Sequence, residues 1–325
     1  MSGDLNTDVR IGPRFSVRDS FGLGFDGKGV SKRRSGGVAM TALEADFDLM
    51  QSIYDISDEF YSLFLGPTMG YTCGYYEREG MTTDEAQIAK FDLALSKLRL
   101  EPGMTLLDVG CGWGAGMERA IERYDVNVIG LTLSRAQRET AESRLARIPT
   151  TRRIDVRLQG WEDFDEKVDR IISIGSMEHY GHHKYDAFFE KTYNALPRDG
   201  VMLLHTICGF HPYEMQRRGV PLTFELCRFI KFIVTEIFPG GQLPSADLIE
   251  EHVAKTGFTL TRTHSLQPHY VRTLEDWAAN LAANRDRAIQ VQSQEVYDRF
   301  MKYLTGCANL FRNGAIDINQ FTLEK

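Results

Sequence analysis

Residues 104–116 read Met-Thr-Leu-Leu-Asp-Val-Gly-Cys-Gly-Trp-Gly-Ala-Gly, and how this stretch is read decides the fold. Thr105 to Val109 is a compact apolar run with one acid near its end, with Pro102-Gly103 before it and alternate glycines after it. Such a run predicts a buried strand that opens into a glycine turn, with a helix following at once. Glycines at 110, 112 and 114 let the backbone approach a ligand where a Cβ would clash, and the first amides of the next helix face that ligand. The stretch reads as a nucleotide cradle.

Which nucleotide it cradles depends on the residues around it. Gly110, Gly112 and Ala115 also satisfy the G-x-G-x-x-G/A pattern of dinucleotide sites, so an NAD-dependent oxidoreductase is the alternative. The ribose acid expected ~20 residues further on is missing, because the next apolar run, 126–133, ends in Thr132-Leu133-Ser134 with no carboxylate. Asp108 stands two residues before the first glycine, where a carboxylate can order the loop and accept from the amine of a cationic cofactor. The hhDhGxGxG form over 106–114 resembles the first motif of S-adenosylmethionine-dependent methyltransferases.

A chain of 325 residues with 42% hydrophobic content can build one large α/β domain or two small ones. The net charge of -7 and pI near 5.7 argue against a nucleic-acid partner. The charge is uneven: residues 1–40 carry seven Lys/Arg against four Asp and read as a flexible basic leader. Cysteines at 73, 111, 208, 227 and 307 show no C-x-x-C spacing, so neither a disulfide framework nor a zinc site is expected, and a cytoplasmic location fits. No stretch reaches the ~18 apolar residues of a transmembrane span.

Outward from the cradle, residues 41–103 read as a helical segment. Ser57 can cap a short helix that begins Asp58-Glu59 and stops at Gly66-Pro67, and an aromatic loop follows over 71–76. Thr82 and Glu85 make a capping box, with Ile88, Phe91, Leu95 and Leu98 behind it as a core stripe. Downstream, strands at 126–131, 154–158, 170–174 and 200–205 alternate with helices, which predicts an α/β fold with a doubly wound, mostly parallel sheet. Chemistry is then expected at the carboxyl ends of the strands. Residues 212–241 interrupt the alternation with more apolar groups than one core-facing stripe needs. They form either a buried helix or a lid for a long acyl chain, set at about 207–245. Residues 265–270 read as strand or loop and 296–311 as a helix bearing Cys307. His179, His182 and His183 make a poor metal shell, since no partner at ligand spacing accompanies them.

By this point the residues resemble a known family, the mycolic-acid cyclopropane synthases and their methyltransferase relatives. The resemblance rests on Tyr71-Thr-Cys-Gly-Tyr-Tyr-Glu-Arg78, the cradle, Gly130-Leu-Thr-Leu-Ser134, Gly160-Trp-Glu162, Met177-Glu-His-Tyr-Gly-His182, Leu204-His-Thr206, residues 228–241 (RFIKFIVTEIFPGG), Gln267-Pro-His-Tyr270 and Tyr303-Leu-Thr-Gly-Cys307. It covers the chain from about residue 45 onward. It implies a seven-stranded methyltransferase sheet with a helical N-terminal segment, a methyltransferase domain over 104–325 and a helical lid insertion. The implied substrate is a long acyl chain on acyl carrier protein, with peripheral lipid contact.

The implied chemistry is methyl transfer from S-adenosylmethionine to a cis double bond, then proton loss to a bound bicarbonate and ring closure. Carried over residue by residue, the resemblance gives Cys73 (through its backbone), Glu178, His205, Tyr270 and Cys307 as the anion's ligands. For the cofactor it gives Tyr71, Thr72, the loop of Asp108, Gly110, Gly112 and Gly114, then Thr132, Leu133, Gln137, Trp161 and Glu162. Gln137 has a rival role, since Ser134 and Gln137 are themselves spaced as a capping box. His205 also reads as a core histidine and Cys307 as a buried small apolar residue. Many relatives have Tyr-Ser-Cys-Ala where this chain has Tyr71-Thr-Cys-Gly74, and Ala-Phe-Glu-His-Phe where it has Ser176-Met-Glu-His-Tyr180. These positions are expected to border the acyl pocket, leaving cyclopropane, methylated alkene and methyl-branched alcohol as products.

Overall fold

The computed structural model describes residues 43–325, so the expected leader over 1–40 lies outside the described residues. Residues 43–325 pack as one unit.

Three helices, α1 (Phe47–Tyr54), α2 (Asp58–Leu65) and α3 (Thr83–Ser96), precede the sheet. Each begins at a side-chain cap: Asp46 accepts from Leu49 N, Ser57 from Phe60 N, and Thr82 and Glu85 form the reciprocal box. Of the expected apolar stripe, Phe91, Leu95 and Leu98 are buried but Ile88 stays 42% exposed. The inward face of α3 instead carries Gln87 and Lys90, both buried, and that exchange matters for the site.

The alternating half follows as β1 (Thr105–Val109), α4 (Ala115–Tyr124), β2 (Asn127–Thr132), α5 (Arg135–Leu145), β3 (Ile154–Leu158), β4 (Arg170–Ile174), α6 (Tyr185–Ala195) and β5 (Val201–Gly209). The insertion holds α7 (Pro212–Arg217), α8 (Phe224–Phe232) and a π-helical turn over Ile233–Ile237. The chain closes with α9 (Ala246–Thr256), β6 (Thr259–Ser265), α10 (Gln267–Ala283), α11 (Arg285–Val291), α12 (Gln294–Arg312) and β7 (Ile316–Glu324).

The seven strands form one sheet in the order β3-β2-β1-β4-β5-β7-β6. The first five run parallel, and β7 lies antiparallel between β5 and β6. Strand order reverses between β1 and β4, and that switch point opens a crevice at their carboxyl ends. Strand β5 runs past the expected end at 205 because β7 pairs with it from Val201↔Glu324 to Gly209↔Ile316. Residues 267–270 are neither strand nor loop: they open α10, with Pro268 in its first turn, where its fixed φ suits a helix start.

Helices α2, α10 and α12 build an apolar layer around Phe60, Phe64, Trp277, Phe300 and Phe311. The insertion packs against this layer by one end only. Phe232 and Ile237 are buried, whereas Leu222 is 46% and Phe224 77% exposed. Met215 and Val220 are buried in a small separate cluster with Ala315, so 212–241 is buried in part and exposed around Leu222 and Phe224. Phe229 packs into the notch left by Gly306 of α12, where a Cβ would stand 2.2 Å from its ring.

Candidate active site

The cradle forms as its glycines require. Gly110, Gly112 and Gly114 have φ of 84°, 53° and 84°, the left-handed region that a Cβ disfavours. The amides of Gly110 and Cys111 both donate to Leu131 O, at 3.0 and 2.9 Å, which ties the turn to β2. The three glycines then part company. A Cβ on Gly110 would stand 2.5 Å from Ser176 Cβ, and one on Gly114 3.0 Å from Ala141 Cβ, whereas one on Gly112 meets nothing within 4 Å. Gly112 alone faces open space, and Gly114 does not line the crevice: it is the N-cap of α4 and lets α5 come close.

The crevice holds ≈ 1190 Å³ of empty volume including its mouth. Tyr71, Thr72, Asp108, Gly110, Gly112, Thr132, Leu133, Gln137, Trp161 and Glu162 all line it, so ten of the eleven expected cofactor residues converge. Thr132 Oγ1 donates to Gln137 Oε1 at 2.8 Å, and Gln137 N donates to Ser134 Oγ at 3.0 Å. Ser134 is thus a cap, but Gln137 does not return the bond as a capping box would. Its oxygen is occupied, and its –NH2 is left to donate into the crevice. Trp161 packs edge-on to Phe188 with centroids 5.2 Å apart, and its buried Nε1 has no partner among the described residues. Glu162 is tied to Lys184 Nζ at 2.9 Å.

Sequence reasoning missed Lys90. It is 1% exposed, lines the crevice and donates from Nζ to Thr72 Oγ1 at 2.8 Å. Burial pulls its ammonium down to about 7, against the pull of Cys73 and Asp108. Burial likewise pushes Asp108 up to about 7, with Lys90 opposing. Both groups are buried, and each favours the other's charged form. Its sequence signal was a lysine at helical spacing with Gln87 and Ala94 on an otherwise apolar face.

His179 was also missed as a crevice residue. Its Nε2 lies 2.8 Å from Tyr54 OH, Nδ1 is buried without a partner among the described residues, and burial lowers its pKa to about 4. His182 and His183 are exposed in the next short turn. Ser176 and Tyr180 line this crevice too. Their hydroxyls bond each other at 2.8 Å and Ser176 donates to Val109 O at 2.9 Å. The two hydroxyls satisfy each other, and Ser173 Oγ lies 2.8 Å from Ser176 Oγ as well.

Cys73, Glu178, His205, Tyr270 and Cys307 do not line the crevice. All five are buried. Burial raises the Tyr270 hydroxyl well above its ordinary value, and Cys73, Tyr71, Cys307 and Glu178 add to the rise. Glu178 Oε1 accepts from Ile207 N at 2.7 Å, anchoring the carboxyl two residues beyond His205 on β5. Glu178 Oε2 and His205 Nε2 are buried with no partner among the described residues. Burial raises the Glu178 carboxyl above its usual range, pushes Cys307 up to about 12 and holds His205 well below its ordinary value. His205 and Cys307 are therefore neutral, and Cys307 is no thiolate nucleophile.

The sheet order, the cradle and a second strand that ends without a ribose acid define the class: this is an S-adenosylmethionine-dependent methyltransferase. Its residues fit that cofactor, with open space at Gly112, an aromatic wall at Trp161 and an unmatched donor at Gln137. A family model described as mycolic acid cyclopropane synthetase matches residues 41–321. Cyclopropane mycolic acid synthase 1 of Mycobacterium tuberculosis is 59% identical over 283 residues, 87% of this chain and 99% of that protein. Methoxy mycolic acid synthase MmaA3 of the same organism is 57% identical over 285 residues, 88% of this chain and 97% of that protein. The crystal structure of mycolic acid cyclopropane synthase CmaA1 complexed with SAH and CTAB superposes with a TM-score of 0.85 at 59% identity, covering 87% of this chain and 99% of that one. The chain belongs to the mycolic acid cyclopropane synthetase family, and the dinucleotide alternative falls with that.

Proposed function

We propose that this enzyme methylates a cis double bond of a long, mycolic-type acyl chain and closes a cyclopropane ring, with bicarbonate bound behind the cofactor as the base. The observation that carries the reading is the pair of orphaned polar atoms, Glu178 Oε2 and His205 Nε2. Buried polar groups in proteins are almost always partnered, and here both point to a small polar ligand. Bound S-adenosylmethionine supplies an electrophilic methyl and bicarbonate a proton acceptor. The residues supply everything else.

Tyr71, Thr72, Gln137 and Trp161 hold the cofactor, and the backbone at Gly112 lets it lie close. Glu178 would hold the anion through Oε2 while Oε1 stays on Ile207 N, and Tyr270 and the Cys73 amide would donate to it. Neutral donors bind an anion without adding charge to a buried site, which limits the desolvation cost. Tyr71, Phe238, Trp277 and Tyr303 form an aromatic wall, with Tyr71 centroids 5.6 Å from Trp277 and 6.2 Å from Phe238. Such faces steady a developing carbocation without capturing it. The α8 insertion covers the acyl chain and keeps water out, while the carrier, acyl carrier protein, stays outside.

Bicarbonate depletion tests the reading. Enzyme in degassed, bicarbonate-free buffer is expected to bind S-adenosylhomocysteine normally yet lose ring closure, with recovery on adding bicarbonate. Glu178→Leu removes a ligand of the anion and with it the positioned proton acceptor, so turnover is expected to fall ~10²–10⁴-fold. Glu178→Gln, which retains both the acceptor for Ile207 N and a donor, loses less. Full turnover without bicarbonate would refute the assignment.

A further inference from the structure

Two fully buried polar side chains stand next to each other in the antiparallel half of the sheet. His205 of β5 and Gln320 of β7 are cross-strand partners, and His264 of β6 is the partner of Gln320 on its other side. His205 and Gln320 are both 0% exposed. A sheet built for stability alone would fill that row with apolar groups, so the polar pair calls for a reason.

Lys97, at the end of α3, reaches over this row. Its Nζ lies 2.5 Å from Gln320 Oε1 and 3.2 Å from His264 Nδ1, while Gln320 Nε2 lies 3.2 Å from His205 Nδ1. The donor inventory then fixes every orientation. An ammonium can only donate, so the amide atom facing Lys97 is the carbonyl oxygen. The –NH2 therefore faces His205, and since it can only donate, Nδ1 must be the accepting, unprotonated nitrogen. A neutral ring with a bare Nδ1 carries its proton on Nε2. Burial and the nearby cations Lys90 and Lys97 hold the ring neutral, and Nε2 is the atom left without a partner.

We propose that Lys97 and Gln320 are positioning residues that lock His205 in its Nε2–H tautomer, so that the ring offers a donor to the bound anion. This rests on the anion site proposed above. With the other tautomer, a lone pair would face the anion and Nδ1–H would face the amide hydrogens of Gln320. Neither residue touches substrate or cofactor. Their action runs through one proton on one ring.

Long-range 1H–15N correlation spectra of full-length 15N-histidine-labelled enzyme, with His205→Gln identifying the signal, read the tautomer directly. Wild type is expected to show a single neutral Nε2–H form. Gln320→Met removes the lock and is expected to give a mixture of tautomers, a loss of turnover of ~10–100-fold by analogy with the outer partners of metal-bound histidines, and an unchanged KM for S-adenosylmethionine. Lys97→Met leaves Gln320 able to flip and is expected to show a smaller shift in the same direction, which covers the case of an unstable Gln320→Met. An Nδ1–H signal in wild type, or a wild-type tautomer and turnover in both variants, would overturn the proposal. The Nε2–H tautomer together with full activity of His205→Gln would instead leave the lock standing and refute the anion site.

Discussion

Replacing Gly112 with alanine separates cofactor binding from folding. A Cβ there meets no protein atom within 4 Å, so the folded protein pays only for placing a side chain at φ 53°, about 1–2 kcal/mol. That is well within the ~5–15 kcal/mol stability of a typical domain. The methyl group instead projects into the space assigned to the methionine moiety of the cofactor. Overpacking by one methyl costs about 1–3 kcal/mol, or about 5- to 150-fold in Kd. Gly110→Ala is the control, because its Cβ would stand 2.5 Å from Ser176 Cβ and the clash lies within the protein itself. Calorimetric titration with S-adenosylhomocysteine and thermal unfolding should therefore diverge: Gly112→Ala folds and binds poorly, while Gly110→Ala loses stability first. A folded Gly112→Ala with wild-type affinity would refute the placement of the cofactor.

Further outcomes follow from the same geometry. His179 is held by burial at about 4 against an ordinary 6.5, so below pH 6.5 the unfolded chain takes up a proton that the native ring refuses. Stability without cofactor should fall by up to about 3 kcal/mol between pH 6.5 and 4, and urea titrations of His179→Gln should show a flatter profile; an equally steep one would exclude this cause. Hydrogen exchange over 210–241 should be faster than in the sheet and slow when a long-chain ligand binds, and equal protection with and without ligand would argue against a lid. Gly306→Ala should push Phe229 out of its notch and raise the KM for the acyl substrate without changing cofactor affinity, a split that steady-state kinetics can read.

Much of this architecture was legible because it rests on short-range rules. Alternating glycines, a capping box and apolar runs at strand spacing placed β1, the cradle, β3, β4 and α3 from local sequence. Strands β6 and β7 were not, for TLTRTHS is polar and mostly exposed at the sheet edge, and IDINQFTLE carries Asn, Gln and Thr into buried ladder positions. Only pairing with β5 makes those residues strand. The cofactor residues were legible through motif and resemblance, but Lys90 and Gln320 were not, since a buried polar side chain takes its meaning from partners far along the chain. Lys90 finds Thr72 in the loop before its own helix, and Lys97 reaches Gln320 across most of the sequence. The insertion misled in the opposite sense: its apolar excess suits burial, and Met215, Val220, Phe232 and Ile237 are buried, yet Phe224 lies outward.

The central claim, methyl transfer followed by anion-assisted ring closure, is tested most directly by mass analysis of the acyl product formed with isotope-labelled S-adenosylmethionine. A labelled product that has gained a net CH2, with the double bond consumed and no oxygen added, is the result expected of the wild-type enzyme. A main product that has gained a methyl group and a hydroxyl from water, or one that keeps its alkene, would contradict the account of a dry site with a base held by Glu178, His205 and Tyr270.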